Sequence, residues 1–308
     1  MTIREPGVYT LSAADYHRDP VVEPSLSASV AHTLLDQSPR HAWYAHARLN
    51  PAHEPEEAEQ RMDIGTAAHA LLLEGEAGVA VLDFPDFRKL EARLQRDAAR
   101  AAGKVPILAD RWADVQAMET ALRVQLAHHE APIPLTNGKP EVTLIWKEGA
   151  VWCRARPDWL HNGRPIYVDD LKSTGGSANP DGWTRGALFD RGYDLQAAHY
   201  LRGLLVLFGV EATFRFVVVE TSPPYACSVI GLSPDVLVLA EKKRRLAVEI
   251  WGECLRTNTW PGYPTRTCFA TLPPWEEARW TERELREAPV TVLGRAADDG
   301  PRDIAEVI

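Results

Sequence analysis

Cysteine is scarce: Cys153, Cys227, Cys254 and Cys268 are the only four in 308 residues, and they are widely and unevenly spaced. That spacing excludes a disulfide scaffold and points to reduced thiols in a cytosol. No apolar run approaches the ~18 residues of a membrane-spanning helix. The opening stretch, MTIREPGVYT, lacks the apolar centre of a secretory signal. Positive charge is in deficit, 34 basic against 43 acidic residues for a net charge of -9. An acidic surface repels nucleic acid, which argues against a protein that coats DNA non-specifically but leaves room for a local basic groove. There is no Gly-x-Ser-x-Gly elbow and no Gly-x-x-x-x-Gly-Lys-Ser/Thr loop, which argues against a serine esterase and a P-loop ATPase. No internal repeat is found.

What is present is ordinary globular composition, 45% apolar and 25% charged, long enough for one large domain or two small ones. The ten tryptophans are expected mostly in the core or in subunit contacts. Residues 1–24, with Pro6, Pro20 and Pro24, read as an irregular arm. Ser27 is a plausible N-cap for a helix over 28–36, and Ser38-Pro39 restarts a second helix to about Arg48. The acidic stretch 51–60 reads as loop, followed by a helix over 61–74 that Gly75 ends. Residues 84–104 read as a basic helix, and 110–128 as another. The character then changes: 141–146 and 151–159 form a hairpin around Glu148-Gly149, and 166–172 is the third strand of a meander. A helix over 193–208, strands over 212–220 and 225–232, and a long helix over 234–256 complete an α/β core with an N-terminal helical elaboration. The expected divisions are an arm at 1–24, a main domain at 25–276 and a tail at 277–308.

The chemistry concentrates in Arg156-Pro157-Asp158 and Asp170-Leu171-Lys172. Strand side chains alternate faces, so Asp170 and Lys172 share one face and Asp169 and Leu171 the other. Asp158 ends the preceding strand, and the reversal at 161–165 brings that strand alongside. Two carboxylates and an ammonium can then converge. Carboxylate oxygens suit a hard cation such as Mg²⁺ or Mn²⁺, and a neighbouring lysine can orient or deprotonate water or stabilise phosphoryl charge. Taken alone, Asp-x-Lys on a strand is more often an exposed ion pair. Three features raise its weight. Gly65 and His69 share a helix face, and His69 offers a third ligand, although a lone helical His is more often a satisfied core residue. Gln196, Tyr200 and Leu204 form one stripe, putting an amide and a phenol above a core leucine. Glu141, opening the first strand of the meander, offers a further acid.

This ordered series, Gly-x-x-x-His, Glu, Pro-Asp, Asp-x-Lys, Gln-x-x-x-Tyr, resembles the RecB-type branch of the PD-(D/E)xK nuclease superfamily, with its restriction-endonuclease-like core, a mixed central sheet flanked by helices. The stretches SLSASVAHTLLDQSPRHAWYAH, MDIGTAAHALLLEGE, RPDWL, YVDDLKST, YDLQAAHY, WPGYP and LPPW are similar to the RecE, or exonuclease VIII, nucleases of phages and prophages, from about residue 24 to 276. The resemblance implies that His69, Asp158 and Asp170 bind the metal, that the Leu171 carbonyl adds a ligand, and that Lys172 is the catalytic lysine. Gln196 and Tyr200 would be accessory catalytic residues and Glu141 an acidic member. It implies a Mg²⁺-dependent exonuclease on linear double-stranded DNA, working 5′ to 3′ and leaving a 3′ overhang for recombination. It also implies a homo-oligomeric ring, trimer or tetramer, a RecT-type annealing partner, no membrane, and the cytoplasm of a bacterial or phage-infected cell. The alternatives are an endonuclease, a single-strand or branched-DNA nuclease of the same fold, and an inactive DNA-end-binding protein.

Arg88, Lys89, Arg93, Arg96, Arg100 and Lys104 could hold DNA near its end as an electrostatic funnel, or simply form a solvated face. The run Lys242 to Arg245 is expected to be a solvated face. Some RecB-type relatives hold a 4Fe–4S cluster with one early and three late cysteines. Here Ser38-Pro39 stands at the early position and Cys254 and Cys268 lie too far apart, so no cluster is expected. His41, His46, His128 and His129 are expected at the surface.

Overall fold

Strong alternation in 212–220 sets the centre of the molecule. In a computed structural model, which describes residues 2–53 and 64–287, Phe214, Phe216 and Val218 of β9 (Ala212–Glu220) join one buried cluster and Val217 and Val219 join another. A strand buried on both faces belongs in the middle of a sheet covered by helices on both sides. β9 runs parallel to β8 (Ile166–Thr174) over that strand's whole length. The sheet order is β10-β9-β8-β7-β4, with β10 (Cys227–Gly231), β7 (Trp159–His161) and β4 (Gly138–Pro140) each antiparallel to its neighbour. The sheet is thus mixed, with the parallel pair joined through α7 (Pro180–Trp183) and α8 (Tyr193–Phe208).

On the face of Phe214 and Phe216 lie α8, α2 (Ala28–Asp36) and α9 (Pro234–Thr257). On the face of Val217 lie α4 (Ile64–Glu74) and α6 (Ala109–Ala127), contributing Ala67, Leu71, Met118 and Leu122. Ser27 and Ser38 cap α2 and α3 (Pro39–Ala45) through Val30 N–H and His41 N–H. α3 ends three residues before Arg48. Gly75, at φ 72°, follows α4, and positions 61–63 lie outside the described residues, as does 54–60 of the expected loop.

Several sequence expectations are corrected. The hairpin β5 (Thr143–Glu148) and β6 (Val151–Ala155) exists, but it pairs with β1 (Gly7–Tyr9) in a separate sheet. There is no meander: the run 151–159 breaks at Pro157, which has no N–H to give a ladder, and β7 continues in the central sheet. The N-terminal arm is structured, with β1, α1 (Ala13–His17), and Ile3 and Val21 fully buried against Trp152. The basic segment is helical only over α5 (Leu90–Ala101), which links the parallel strands β2 (Val79–Leu82) and β3 (Val105–Leu108).

The chain divides into two units, Met1–Gly262 and Tyr263–Ile308. Within the second, α10 (Pro274–Glu287) occupies the start of the expected tail and carries Trp275 and Trp280 exposed. Trp146, Trp152, Trp183 and Trp251 are buried. Among the described residues, no helix is long and apolar enough to cross a membrane, and all four cysteines are free thiols.

Candidate active site

The site forms where a strand runs out of neighbours. β7 pairs with β8 only at Val168 and Asp169, whereas β8 continues beside β9 to Thr174. From Asp170 onward one edge of β8 is open. Asp158, just before β7, fills the gap: its Oδ2 accepts the Leu171 N–H at 2.7 Å. The same oxygen lies 3.1 Å from His69 Nε2. His69 reaches it from α4, held by the apolar residues of that helix. Beside His69 a cleft of about 270 Å³ is lined by Gly65, Thr66, Met118, Leu171, Ser173 and Val219.

From the other face of β8 come Asp170 and Lys172, in direct ion-pair contact. Gln196 Nε2 donates to Asp170 Oδ1 at 2.8 Å and lies 3.2 Å from the Tyr200 hydroxyl. The Tyr200 hydroxyl in turn sits 3.4 Å from the Arg156 carbonyl. The Lys172 ammonium lies over the Tyr193 ring at 4.7 Å and the Phe216 ring at 6.0 Å. Tyr193, Gln196 and Tyr200 are spaced i, i+3, i+7, so the helical stripe includes a residue that the sequence reading left out. Glu141 is not on a strand: it has φ 51° in the turn before β5, donates its N–H to the Asp158 carbonyl at 3.0 Å and accepts from Arg156 Nη2 at 2.6 Å.

The six cations at 88–104 do not share one face. Arg88 and Lys89 precede α5 and Lys104 follows it. Arg88 pairs with Asp86. Arg96 turns inward, buried, with Nε on Asp97 at 2.8 Å and its guanidinium over Phe87. Within α5, Arg93 is exposed and Arg100 half-buried. The 242–245 run is likewise no uniform solvated face. Arg244 is 2% exposed and pairs with Glu148 and Glu241, and Lys243 donates to Asp194 at 2.6 Å. His46 is buried rather than at the surface, 3.2 Å from Asp19.

A family model described as a PDDEXK-like domain of unknown function (DUF3799) matches residues 28–270. The chain belongs to this family. Among solved structures, a protein from Eubacterium rectale named "Putative exonuclease" is similar at 12% identity and a TM-score of 0.50, covering 84% of this chain and 97% of its own. The protein SSO0001 is similar at 13% identity and a TM-score of 0.25, over 58% of this chain and 84% of its own. The first likeness agrees with the fold of the PDDEXK-like family. Comparison with curated proteins returns no match.

The electrostatics of the PDDEXK-like site follow from burying opposite charges together. Burial raises Asp170, Asp158 beside it raises it further, and Lys172 only partly offsets them, leaving its pKa at about 6. Burial also acts on Asp158, but His69, Lys172 and the Leu171 N–H hold its carboxyl below the ordinary range. Burial opposes the charge on Lys172 and His69, yet the two aspartates raise both. For Glu141, burial pushes the carboxyl up, Arg156 pulls it down, and Glu74 adds to the rise. Among the described residues no three His, Cys, Asp or Glu side chains are grouped closely enough to make a complete metal cage. His69 and Asp158 touch, while Asp170 is drawn to Lys172 and Gln196. The donor chemistry nonetheless fits a divalent ion. The separation of His69 and Asp158 is near the ~3 Å expected of adjacent ligands at ~2.1 Å from one ion, and buried Asp170 Oδ2 makes no aligned hydrogen bond.

Proposed function

We propose that this protein is a metal-dependent deoxyribonuclease that hydrolyses phosphodiester bonds of linear double-stranded DNA, as the resemblance to RecE-like exonucleases suggests. The observation that carries the reading is the convergence of His69, Asp158, Asp170 and Lys172 at the open edge of β8. His69, Asp158 and Asp170 would hold Mg²⁺ or Mn²⁺. The Leu171 N–H points to this edge, and a strand residue directs its carbonyl to the same side, which supports the Leu171 carbonyl as a further ligand. The bound cation would neutralise phosphate charge and lower the pKa of water. Lys172, kept protonated by Asp170, places positive charge where the phosphoryl oxygens gain negative charge. Gln196 fixes the Asp170 carboxylate. Burial keeps the Tyr200 hydroxyl well above its ordinary pKa, so it serves as a neutral donor. Water adds to phosphorus, the bond to the leaving oxygen breaks, and that oxygen takes up a proton.

Digestion of linear duplex labelled separately at the 5′ and 3′ ends tests this. The expected result is cation-dependent release that begins at 5′ ends, leaves a 3′ overhang and spares closed circles. Asp170→Ala and Lys172→Ala should each abolish it, with circular dichroism unchanged. Full activity in either variant would remove the assignment. Efficient cutting of circles would move the reading to an endonuclease. Binding of ends without cleavage would move it to an inactive end-binding protein. A trimeric or tetrameric ring and a RecT-type annealing partner belong to the same proposal.

A further inference from the structure

We propose that Arg156 is a substrate-contacting residue that binds a phosphate of the DNA strand next to the one being cut, an inference that rests on the nuclease reading above. The guanidinium is under-used. An arginine has five N–H donors in a planar fork, and among the described residues the one hydrogen bond its side chain makes goes from Nη2 to Glu141 Oε2 at 2.6 Å. Among the described residues its buried Nε has no partner, and its Nη1 makes no hydrogen bond. Unmet donors on a charged group are costly, and the 14% of the side chain that stays exposed leaves the free Nη1 donor for a phosphate oxygen. The location is suitable. Arg156 is two residues from Asp158, its carbonyl lies beside the Tyr200 hydroxyl, and its acid partner Glu141 is tied by its N–H to the Asp158 carbonyl.

The neighbouring guanidinium is not competing for the same anion. Arg154, the next guanidinium along, is already engaged by Ser25 and Asp19. On α1, partial burial and the charges of Arg154 and Arg156 all hold the His17 imidazole below its ordinary pKa. His17 thus senses both guanidiniums even though each has an acid partner. The planar fork of arginine matches two phosphate oxygens in a way that a lysine ammonium does not. A phosphate here would share Arg156 with Glu141 or displace that carboxylate from it.

The competing explanation is that Arg156 only holds Glu141 in place. Equilibrium binding of a short duplex in Ca²⁺, across a range of salt, separates the two with Arg156→Gln, Arg156→Lys and Glu141→Gln. If Arg156 contacts phosphate, Arg156→Gln should weaken binding about ten-fold and lower the slope of log affinity against log salt by about one. Glu141→Gln should bind as tightly as the parent or tighter, because it frees the guanidinium. Arg156→Lys should keep the salt slope but lose part of the affinity, and it covers the case in which Arg156→Gln does not fold. Equal affinity and slope in Arg156→Gln and the parent would overturn the inference, as would an identical loss in Arg156→Gln and Glu141→Gln. If the parent itself neither binds nor cuts duplex DNA, the nuclease reading fails instead.

Discussion

Asp169 and Asp170 are adjacent in sequence and opposite in fate, which makes them a clear test of what a strand does to two identical side chains. Asp170 faces Lys172 and Gln196. Asp169, fully buried on the other face, receives Arg215 Nε at 2.7 Å, His161 at 2.5 Å and the Leu135 N–H at 2.8 Å. Arg215 also donates to the Pro132 carbonyl and lies over Tyr167. Asp169 is therefore a structural acid that pins the 132–135 segment to the central sheet. Removing one member of a buried ion pair strands its partner's charge, at a typical cost of about 3–5 kcal/mol. Arg215→Ala should lose about that much in urea unfolding, and its folded fraction should still digest DNA at the parental rate. An unchanged midpoint would mean that Asp169 does not depend on Arg215. The alternation that separates these two acids was legible in the sequence. The partners of Asp169 were not, because Leu135, His161 and Arg215 are brought to it by three different connections.

At the scale of elements, legibility followed the range of the forces involved. Helices α2, α8 and α9 and strand β9 announce themselves by caps and periodicity, which are local. The four-residue strands β2 and β3 carry too little pattern to be read, and Pro106 disguises the second. The β5–β6 hairpin was readable from its turn, but its sheet partner β1 lies over 130 residues away and no local signal names it. Helix α8 shows the same contrast. Its sequence reads as amphipathic, yet nothing local explains Gly203. A Cβ at Gly203 would stand 2.8 Å from Trp146 Cζ3, and that indole is fully buried against His199. Gly203→Ala gains up to about 1 kcal/mol of helix propensity, while overpacking a tight core costs about 1–3 kcal/mol. The clash should win, lowering stability by about 1 kcal/mol, as read from the denaturation midpoint. A stabilised variant would show that Trp146 can move aside.

For the molecule as a whole, two linkages are accessible in solution. The first is to the cation. An ion that binds the native state alone stabilises it by about 2.7 kcal/mol at a hundred times its dissociation constant, worth several degrees in a chain of this size. Adding Mn²⁺ to protein stripped with EDTA should raise the melting temperature, and Asp158→Asn should not respond. An equal rise in that variant would place the ion elsewhere.

The second linkage is to protons, and it joins the N-terminal arm to the rest of the main unit. Asp19 is 2% exposed. It accepts the Ser25 N–H at 2.8 Å and the Ser25 hydroxyl at 2.6 Å, with His46 and Arg154 close by. Burial would raise its pKa, but His46, Arg154 and Ser25 together hold it below the ordinary value. Asp169 is depressed in the same way, with His161 and Arg215 outweighing burial. A carboxyl whose folded pKa lies below its unfolded value of about 3.9 contributes stability that is present above that value. The contribution is lost as pH falls through the folded value. Stability in urea should therefore hold from neutral pH down to about pH 5 and fall steeply below about pH 4. Asp19→Asn should start lower at neutral pH and fall less on acidification, because it has already lost one of the two charges. An acid limb in Asp19→Asn parallel to that of the parent would mean that Asp19 carries none of the linkage, leaving the depressed carboxyls Asp169 and Asp158 to account for it.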